Sequence, residues 1–180
     1  MVGTLPWAPA TDRPDLLAPP VLAALEGRDD AGDVLVAAID PDLADTAAFC
    51  EAYGVGLDES ANCVVVAAKR GGERRLAACL VLATTRADVN GLVRRHLDAK
   101  KASFAPMDTA VAESGMAYGG IGPIGLPVVW PILLDAAVAA GDRLVIGSGV
   151  RGSKLLVPGK LLASLPGAEV LDGLGLPVSP

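Results

Sequence analysis

Residues 118–125 have the sequence Tyr-Gly-Gly-Ile-Gly-Pro-Ile-Gly, with apolar sequence on both sides. Glycine permits backbone angles that a Cβ forbids and lets a ligand approach the main chain, whereas proline fixes φ and stiffens a turn. The segment therefore predicts a rigid loop, either a tight turn between buried strands or a wall of a ligand site. It is not a P-loop, since no Lys-Ser/Thr pair follows. It is not a dinucleotide-binding fingerprint, since no G-x-G-x-x-G opens a helix.

The length of 180 residues suits one domain with a hydrophobic core. Because 52% of the residues are hydrophobic and only 3% are aromatic, this core must be mainly aliphatic. The 21 glycines and 14 prolines favour several short strands over a helix bundle. A formal net charge of −6 argues against broad, sequence-independent binding to nucleic acid, but it is compatible with a small basic patch that meets one RNA end.

Cysteine and histidine usage argues against a metal centre or a cofactor. The three cysteines show no C-x-x-C spacing, and His96 is the single histidine. No basic segment followed by an apolar run opens the chain, and apolar runs are interrupted before membrane-spanning length. We therefore expect a soluble, cytoplasmic protein that does not associate with a membrane and binds no metal.

Apolar runs and turn residues predict one α+β domain with a mixed sheet. The runs at residues 62–68 and 76–83 flank a charged glycine turn, which predicts a β-hairpin. Helices are expected over residues 20–27, 40–54, 89–97 and 106–114 and from residue 158 onward. Further strands are expected over residues 34–39, 128–135, 143–147, 154–157 and 168–171, with Pro131 interrupting one of them.

The polar residues do not form the pattern of a nucleophilic hydrolase. His96 lies in an amphipathic segment among Arg94, Arg95 and Asp98 and is interpreted as a surface residue. The chain has no G-x-S-x-G, no H-E-x-x-H and no clustered carboxylates. Asp135 ends an apolar strand, where it either caps the following alanine-rich turn or enters a site. Two glycine loops, residues 119–125 and 147–152, remain as the candidate site.

The order of several segments resembles the YbaK/EbsC family, the aminoacyl-tRNA deacylases related to the editing domain of bacterial prolyl-tRNA synthetase. The segments are Asn-Cys-Val-Val-Val at 62–66, Ala-Lys-Lys at 99–101, Gly-Gly-Ile-Gly-Pro-Ile-Gly at 119–125, Leu-Asp-Ala at 134–136 and Ser-Gly-Val-Arg-Gly at 148–152. The glycine loop, similar to the family's G-G-x-x-P-x-G, is the most specific of them.

This resemblance implies a single compact α+β domain with a curved, barrel-like mixed β-sheet and surrounding helices. The domain is expected over residues 30–172, with a proline-rich N-terminal arm and short helix at 1–29 and a C-terminal tail at 173–180. The implied function is trans-editing: hydrolysis of the ester of a mischarged tRNA carrying a small amino acid such as alanine or cysteine, with tRNA-Pro the expected tRNA. The implied partner is the tRNA 3′ end, and an aminoacyl-tRNA synthetase partner is left open.

The family acts without a metal or a covalent intermediate, because backbone groups of the glycine loop position the amino acid and a water. The terminal ribose hydroxyl of the tRNA assists. Carried over to this chain, the resemblance implies a catalytic role for Gly119, Gly120 and Asp135, and for Asn62 in the place of the family's lysine. It implies substrate binding by a second set: Ile121, Pro123, Gly125, Ser148, Gly149, Arg151, Lys100 and Lys101.

The chain departs from the family at two positions. Asn62 stands where active members carry a lysine that reaches the substrate carbonyl and the terminal phosphate, and Gly122 stands where serine is frequent. An asparagine donates a hydrogen bond but supplies no charge. Three explanations remain open: a different substrate, a cation supplied by Lys100, Lys101 or Lys154, or a module that binds without hydrolysing. A hydrolase for small-molecule esters or amides is a further alternative.

Overall fold

Short strands and short helices alternate along the chain in the computed structural model, which describes residues 1–178. The strands are β1 Ala8–Pro9, β2 Leu35–Ala38, β3 Ala61–Arg70, β4 Glu73–Leu82, β5 Thr85–Ala87, β6 Lys101–Phe104, β7 Ile132–Asp135, β8 Leu144–Gly147, β9 Ser153–Val157, β10 Ala168–Leu171 and β11 Gly175–Pro177. The helices are α1 Pro19–Glu26, α2 Thr46–Tyr53, α3 Arg94–His96, α4 Met107–Ser114, α5 Ala136–Ala139 and α6 Gly159–Ala163.

The hairpin of β3 and β4 is the longest element and lies where the sequence predicts one. Gly71 and Gly72 form its turn with φ of +57° and +84°, the two positive values that a two-residue type I′ turn requires. Arg70 pairs with Glu73, and the register continues to Ala61 opposite Leu82. Both strands run longer than the apolar runs alone indicate, because their charged ends also pair.

Two main sheets build the fold. The five-stranded sheet has the order β10-β7-β4-β3-β6 and is mixed, since β4, β7 and β10 run parallel while β3 is antiparallel to both neighbours. The four-stranded sheet, β1-β2-β9-β8, is antiparallel. A single parallel bridge, Ser60 to Val145, joins the two sheets. Within residues 1–178 the sheets touch there but do not close into a barrel. The predicted α+β class is confirmed.

Alternate residues of each strand contact different apolar clusters, as the two-residue period of a strand requires. Val65 and Leu155 belong to the main core between the sheets. Val66 packs in a second cluster on the opposite face of the five-stranded sheet. Leu156 packs with Phe49 of α2 in a third cluster behind the four-stranded sheet. Both sheets are therefore buried on two faces, which explains the near-continuous apolar runs of their strands.

The terminal segments pack against this core. Val21 and Leu25 of α1 are buried in the main cluster, and β1 pairs with β2. At the other end of the chain, the expected tail contains β11, which pairs with β5, and the buried Leu174. Residues 179 and 180 of that tail lie outside the described residues. No helix within residues 1–178 has both the length and the apolar character needed to cross a membrane.

Three predicted elements differ from the structure. The helix expected from residue 40 is a 3₁₀ turn, Pro41–Leu43, and α2 begins only at Thr46. The helix expected over 89–97 starts as a π-helical turn, Val89–Val93, because the Asp88 carboxylate accepts hydrogen bonds from two N–H groups of that turn. The strand expected over 128–135 is reduced to β7, because Pro131 interrupts it.

Candidate active site

A cavity of about 400 Å³ opens between the start of β3, the first turn of α2, the connection from β6 to α4, and the ends of the two glycine loops. Most of its lining residues are apolar. Its polar side chains include those of Thr46, Ser60, Asn62 and Lys154. An apolar concavity with a few converging polar groups is the usual form of a small-molecule site.

The two glycine loops pack against each other. The Gly149 N–H donates to the Gly120 carbonyl at 2.7 Å, and the Ala117 N–H donates to the Gly149 carbonyl at 2.9 Å. A Cβ on Gly122 would lie 2.2 Å from the carbonyl oxygen of Gly147. A side chain at position 122, such as the serine that the resemblance implies, therefore has no room here. Close backbone contact is what these glycines permit.

Only part of the predicted loop site reaches the cavity. Gly119 and Ile121 line it, and Gly147 joins them from the second loop. Pro123 is buried and does not line the cavity, and a Cβ on Gly125 would lie 2.4 Å from the carbonyl oxygen of Pro20. Gly125 therefore packs against α1.

Ser148 and Gly149 hold the second loop in place. The buried Ser148 hydroxyl lies 2.7 Å from the Ser153 hydroxyl, which donates to the Leu16 carbonyl at 2.6 Å. Gly149 has φ of +89°, and a Cβ there would lie 2.3 Å from the Cβ of Ala18. Neither residue lines the cavity. Their contacts instead connect the loop to the segment before α1.

Arg151 lies at the rim of the cavity and is not one of its lining residues. Its guanidinium donates to the carbonyl of Pro41 at 3.0 Å and to that of Tyr118 at 3.4 Å. It also stacks over the Tyr118 ring, with its Cζ 5.8 Å from the ring centroid. Arg151 thus connects the first glycine loop to the turn that precedes α2.

Asp135 is buried outside the cavity, so the capping alternative describes its place in the structure. Its carboxylate accepts a hydrogen bond from the Ala137 N–H at 2.9 Å and begins α5 as the N-cap. The other carboxylate oxygen accepts from the Gly175 N–H at 2.6 Å. Asp135 therefore connects α5 to β11.

Lys100 and Lys101 also lie away from the cavity. They line a shallow groove at the far end of the hairpin together with Lys69, Arg70 and Arg74. Arg70 and Arg74 are paired with Asp98 and Glu113, respectively. This groove is the local basic patch that the sequence allowed in spite of its acidic net charge.

Asn62 lines the cavity near the start of β3. Its amide oxygen accepts a 2.6 Å hydrogen bond from the hydroxyl of Thr46, the first residue of α2. This contact holds a neutral side chain where the resemblance places the lysine of active members.

Lys154 is the cation among the described cavity residues; the primary site prediction missed it, as it missed most of the lining, although Lys154 was among the alternatives. Its side chain is 8% exposed, and its Nζ donates to the carbonyl of Ala44 at 2.9 Å. The Nζ also lies 5.3 Å from the centroid of the Phe49 ring. Burial lowers the pKa of Lys154. The available signal was a lone lysine directly before the apolar residues 155–157 of β9, since lysine is rarely fully buried unless it is paired.

None of the described cavity residues has the environment of an activated nucleophile. Burial raises the pKa of the Cys63 thiol, which keeps the sulfur protonated and weakly nucleophilic. The histidine lies elsewhere: His96 is on the surface and contacts Glu169 of β10. The polar groups among the described lining residues are therefore backbone groups, hydroxyls, the Asn62 amide, the Asp45 carboxylate and the buried Lys154 ammonium.

These features define the class of protein: it is an α+β domain whose small cavity lies beside two glycine loops. The described residues that line this cavity include no catalytic triad. The model of the aminoacyl-tRNA editing domain family matches residues 40–165. The chain therefore belongs to this family.

Solved structures agree with this fold. A candidate trans-editing enzyme for prolyl-tRNA synthetase matches with a TM-score of 0.73 at 23% identity, over 86% of this chain and 94% of that one. A protein from work on computational grafting of epitopes onto scaffolds matches with a TM-score of 0.72 at 24% identity, over 86% and 95% of the two chains. The hypothetical protein APE2540 matches at 0.68 with 18% identity, over 78% and 90%. At these identities the structural likeness describes the fold alone.

Proposed function

We propose that the protein is a trans-editing aminoacyl-tRNA deacylase. The observation that carries this proposal is the cavity of about 400 Å³ beside the glycine loop, in a chain of the editing-domain family. The substrate is a tRNA mischarged with a small amino acid such as alanine or cysteine, with tRNA-Pro the first candidate. Water attacks the ester carbon, the bond to the ribose oxygen breaks, and the products are a free amino acid and an uncharged tRNA.

Backbone groups supply the oxyanion stabilisation in this mechanism. The N–H groups of Gly119 and Ile121 belong to residues that line the cavity, and neither has a hydrogen-bond acceptor within residues 1–178. Fixed donors of this kind stabilise the charge that develops on the carbonyl oxygen when water adds. The packing of the two glycine loops keeps these donors in place before the substrate binds.

The apolar walls suit a small side chain. Val65, Ile121 and Ile146 line the cavity. An apolar pocket distinguishes substrates that differ by one methylene by about 1–3 kcal/mol. We therefore expect a preference for alanine or cysteine over larger residues that is graded rather than absolute.

The rim of the cavity suits an unpaired RNA end. Phe104 and Tyr118 line the cavity with 64% and 56% of their surface exposed, and the exposed Met107 lies with them. Large apolar side chains are normally buried, so exposed ones grouped at one mouth indicate a binding surface. Aromatic rings stack on nucleic-acid bases of any sequence, at about 1–3 kcal/mol per base.

A row of cations continues from this rim along the same sheet. The register places Lys101, Lys69 and Arg74 side by side on β6, β3 and β4, where like charges repel. Glu113 neutralises Arg74, whereas among the described residues no acidic side chain forms an ion pair with Lys69 or Lys101. Lys69 lies four residues from Val65 along β3, about 13 Å at the rise of a strand. Phosphates of the nucleotides behind a bound 3′ end complement this row.

A deacylation screen tests the proposal. Purified protein is incubated with a panel of mischarged tRNAs, beginning with alanyl- and cysteinyl-tRNA-Pro, and prolyl-tRNA-Pro serves as the correctly charged control. We expect hydrolysis of one or two small-residue members well above the spontaneous rate and no acceleration for the control. Spontaneous rates across the whole panel, with folded protein, would refute the deacylase function.

A non-catalytic binding module is the second candidate, and Asn62 is the observation that favours it. The neutral Asn62 amide, which accepts a hydrogen bond from Thr46, supplies no charge at the position where the resemblance places the lysine of active members. Such a module would bind an aminoacyl-tRNA, a free amino acid or a synthetase without cleaving the ester. Filter binding of intact alanyl-tRNA-Pro, measured together with the deacylation rate, distinguishes the two candidates. Saturable binding at the spontaneous rate of hydrolysis identifies the module.

A further inference from the structure

Lys154 is a buried ammonium at the cavity wall with unused hydrogen-bonding capacity. Its side chain is 8% exposed, and Nζ donates to the Ala44 carbonyl at 2.9 Å. An ammonium carries three N–H donors. No second acceptor for Nζ is found within residues 1–178. Two donors are therefore available to a ligand in the cavity.

The charge of Lys154 is also without a counter-ion in contact. No Asp or Glu oxygen of the described residues forms an ion pair with its Nζ. Besides Ala44, its Nζ lies 5.3 Å from the centroid of the Phe49 ring, in a cation–π contact. Burial lowers the pKa of Lys154, while Cys50 and Asp45 act in the opposite direction and Arg151 adds to the lowering. An ammonium buried without a carboxylate in contact is costly, so its retention at a cavity wall indicates a ligand.

We propose that Lys154 supplies the cation of this site and binds an electronegative oxygen of the substrate. This inference rests on the proposed deacylase function and adds a residue to it. Two sources offer that oxygen, the ester carbonyl and a phosphate of the terminal nucleotide. Lys154 comes from β9, whereas Asn62 comes from β3. Strand β9 pairs with β8, and Val145 of β8 forms a bridge with Ser60, next to the start of β3. Both side chains therefore reach the same cavity.

If the carbonyl is the ligand, Lys154 acts on the reacting atoms. Water adds to the ester carbon, the carbonyl oxygen gains negative charge, and the ammonium stabilises that charge through a hydrogen bond without giving up its proton. The ester bond to the ribose then breaks, and the ribose oxygen takes the proton that the attacking water gives up, so that one water is consumed for each ester cleaved. If the phosphate is the ligand, Lys154 fixes the terminal nucleotide and places the ester beside the glycine loop.

A purely structural lysine would behave differently on substitution. Lys154 joins β9 to the turn before α2 through the Ala44 carbonyl, and a structural role means that losing this bond lowers stability. A binding role means that methionine, which fills similar space without a charge, leaves stability equal or higher, because removing a buried charge is often neutral or stabilising. Only the binding role therefore predicts a loss of activity without a loss of stability.

The experiment compares wild type with Lys154→Met and with the control Lys160→Met, which removes an exposed lysine of α6. We expect Lys154→Met to lower kcat/KM for the aminoacyl-tRNA that wild type hydrolyses by about 10²–10³-fold. Its Tm should match or exceed that of wild type, and Lys160→Met should change neither quantity. Adding Asn62→Lys to Lys154→Met should restore part of the activity, because it returns an ammonium to the same cavity.

Two uncleavable probes identify the source of the oxygen: adenosine carrying alanine in amide linkage at the 3′ position, and the unacylated trinucleotide CCA. Weaker binding of the first probe to Lys154→Met identifies the carbonyl, and weaker binding of the second identifies the phosphate. Wild-type kcat/KM in Lys154→Met, on a tRNA that wild type hydrolyses, overturns this inference alone. If wild type neither hydrolyses any tRNA nor binds either probe, the proposed function fails and this inference fails with it.

Discussion

Substituting Gly120 by alanine tests whether the two glycine loops are tightly packed. A Cβ at this position would lie 2.6 Å from both the carbonyl carbon and the carbonyl oxygen of Val150, and 2.8 Å from its nitrogen. These are backbone atoms, so no side chain can rotate away and one loop must move. That movement also weakens the 2.7 Å hydrogen bond from the Gly149 N–H to the Gly120 carbonyl.

The expected loss of stability follows from this contact. Overpacking a close-packed interior costs about 1–3 kcal/mol. In a protein of this size, each kcal/mol lowers Tm by about 2–4 °C, so Gly120→Ala should unfold about 2–12 °C below wild type. A loss of deacylase activity in this variant would come from displaced Gly119 and Ile121 donors, since Gly120 itself does not line the cavity.

Thermal unfolding followed by circular dichroism measures the effect, and urea unfolding gives the free energy of unfolding. Gly32→Ala is the matched control, because a Cβ at that exposed glycine meets no atom within 4 Å and its φ is not positive. This control should unfold at the wild-type temperature or be stabilised by about 0.4–1 kcal/mol. Equal Tm values for the two variants would refute the close packing of the loops.

Three further substitutions test the contacts of Asp135, Tyr118 and Lys154. Asp135→Ala should lower the free energy of unfolding by about 1–3 kcal/mol, because the N–H groups of Ala137 and Gly175 each lose an acceptor. The kcat/KM of the folded variant should stay at the wild-type value, and a large loss of kcat/KM would contradict a capping role. Tyr118→Ala should weaken binding of a CCA-ended RNA by about 1–3 kcal/mol, about 5–150-fold in Kd by fluorescence anisotropy, whereas the exposed Val129→Ala should not. Burial lowers the pKa of Lys154, so the unfolded state binds more protons between that pKa and 10.5, and the free energy of unfolding should rise with pH across this window. Urea unfolding of Lys154→Met should lack that rise, and a parallel profile for both proteins would contradict the lowered pKa.

Local sequence patterns predicted most of the secondary structure. The β3–β4 hairpin follows from two β-branched runs around a pair of glycines, and the glycine after α2 ends that helix with φ of +65°. Patterns were less informative where a side chain competes with the backbone. Asp88 accepts hydrogen bonds from the first turn after β5 and converts the expected helix start into a π-helical turn.

The candidate site was predicted less completely than the fold. Of the predicted residues, Gly119, Ile121 and Asn62 line the cavity, whereas Gly120, Pro123, Gly125, Ser148, Gly149, Arg151, Asp135, Lys100 and Lys101 do not. The order of segments along the chain indicates the family, but it does not predict which residues of a loop face the cavity. Glycines that permit close approach of a ligand equally permit close approach of a second loop.

The sequence by itself determined the fold class, the hairpin, the aliphatic core and the resemblance to the editing family, because these depend on local periodicity and on residue order. Only the tertiary structure decided that Asp135 caps α5 and that Lys154 is buried beside Asn62. Lys154 and Asn62 are far apart in the chain, and they meet only because β9 pairs with β8 and β8 bridges to the start of β3. Long-range strand pairing creates such contacts, and no local pattern encodes which distant strand will be the neighbour.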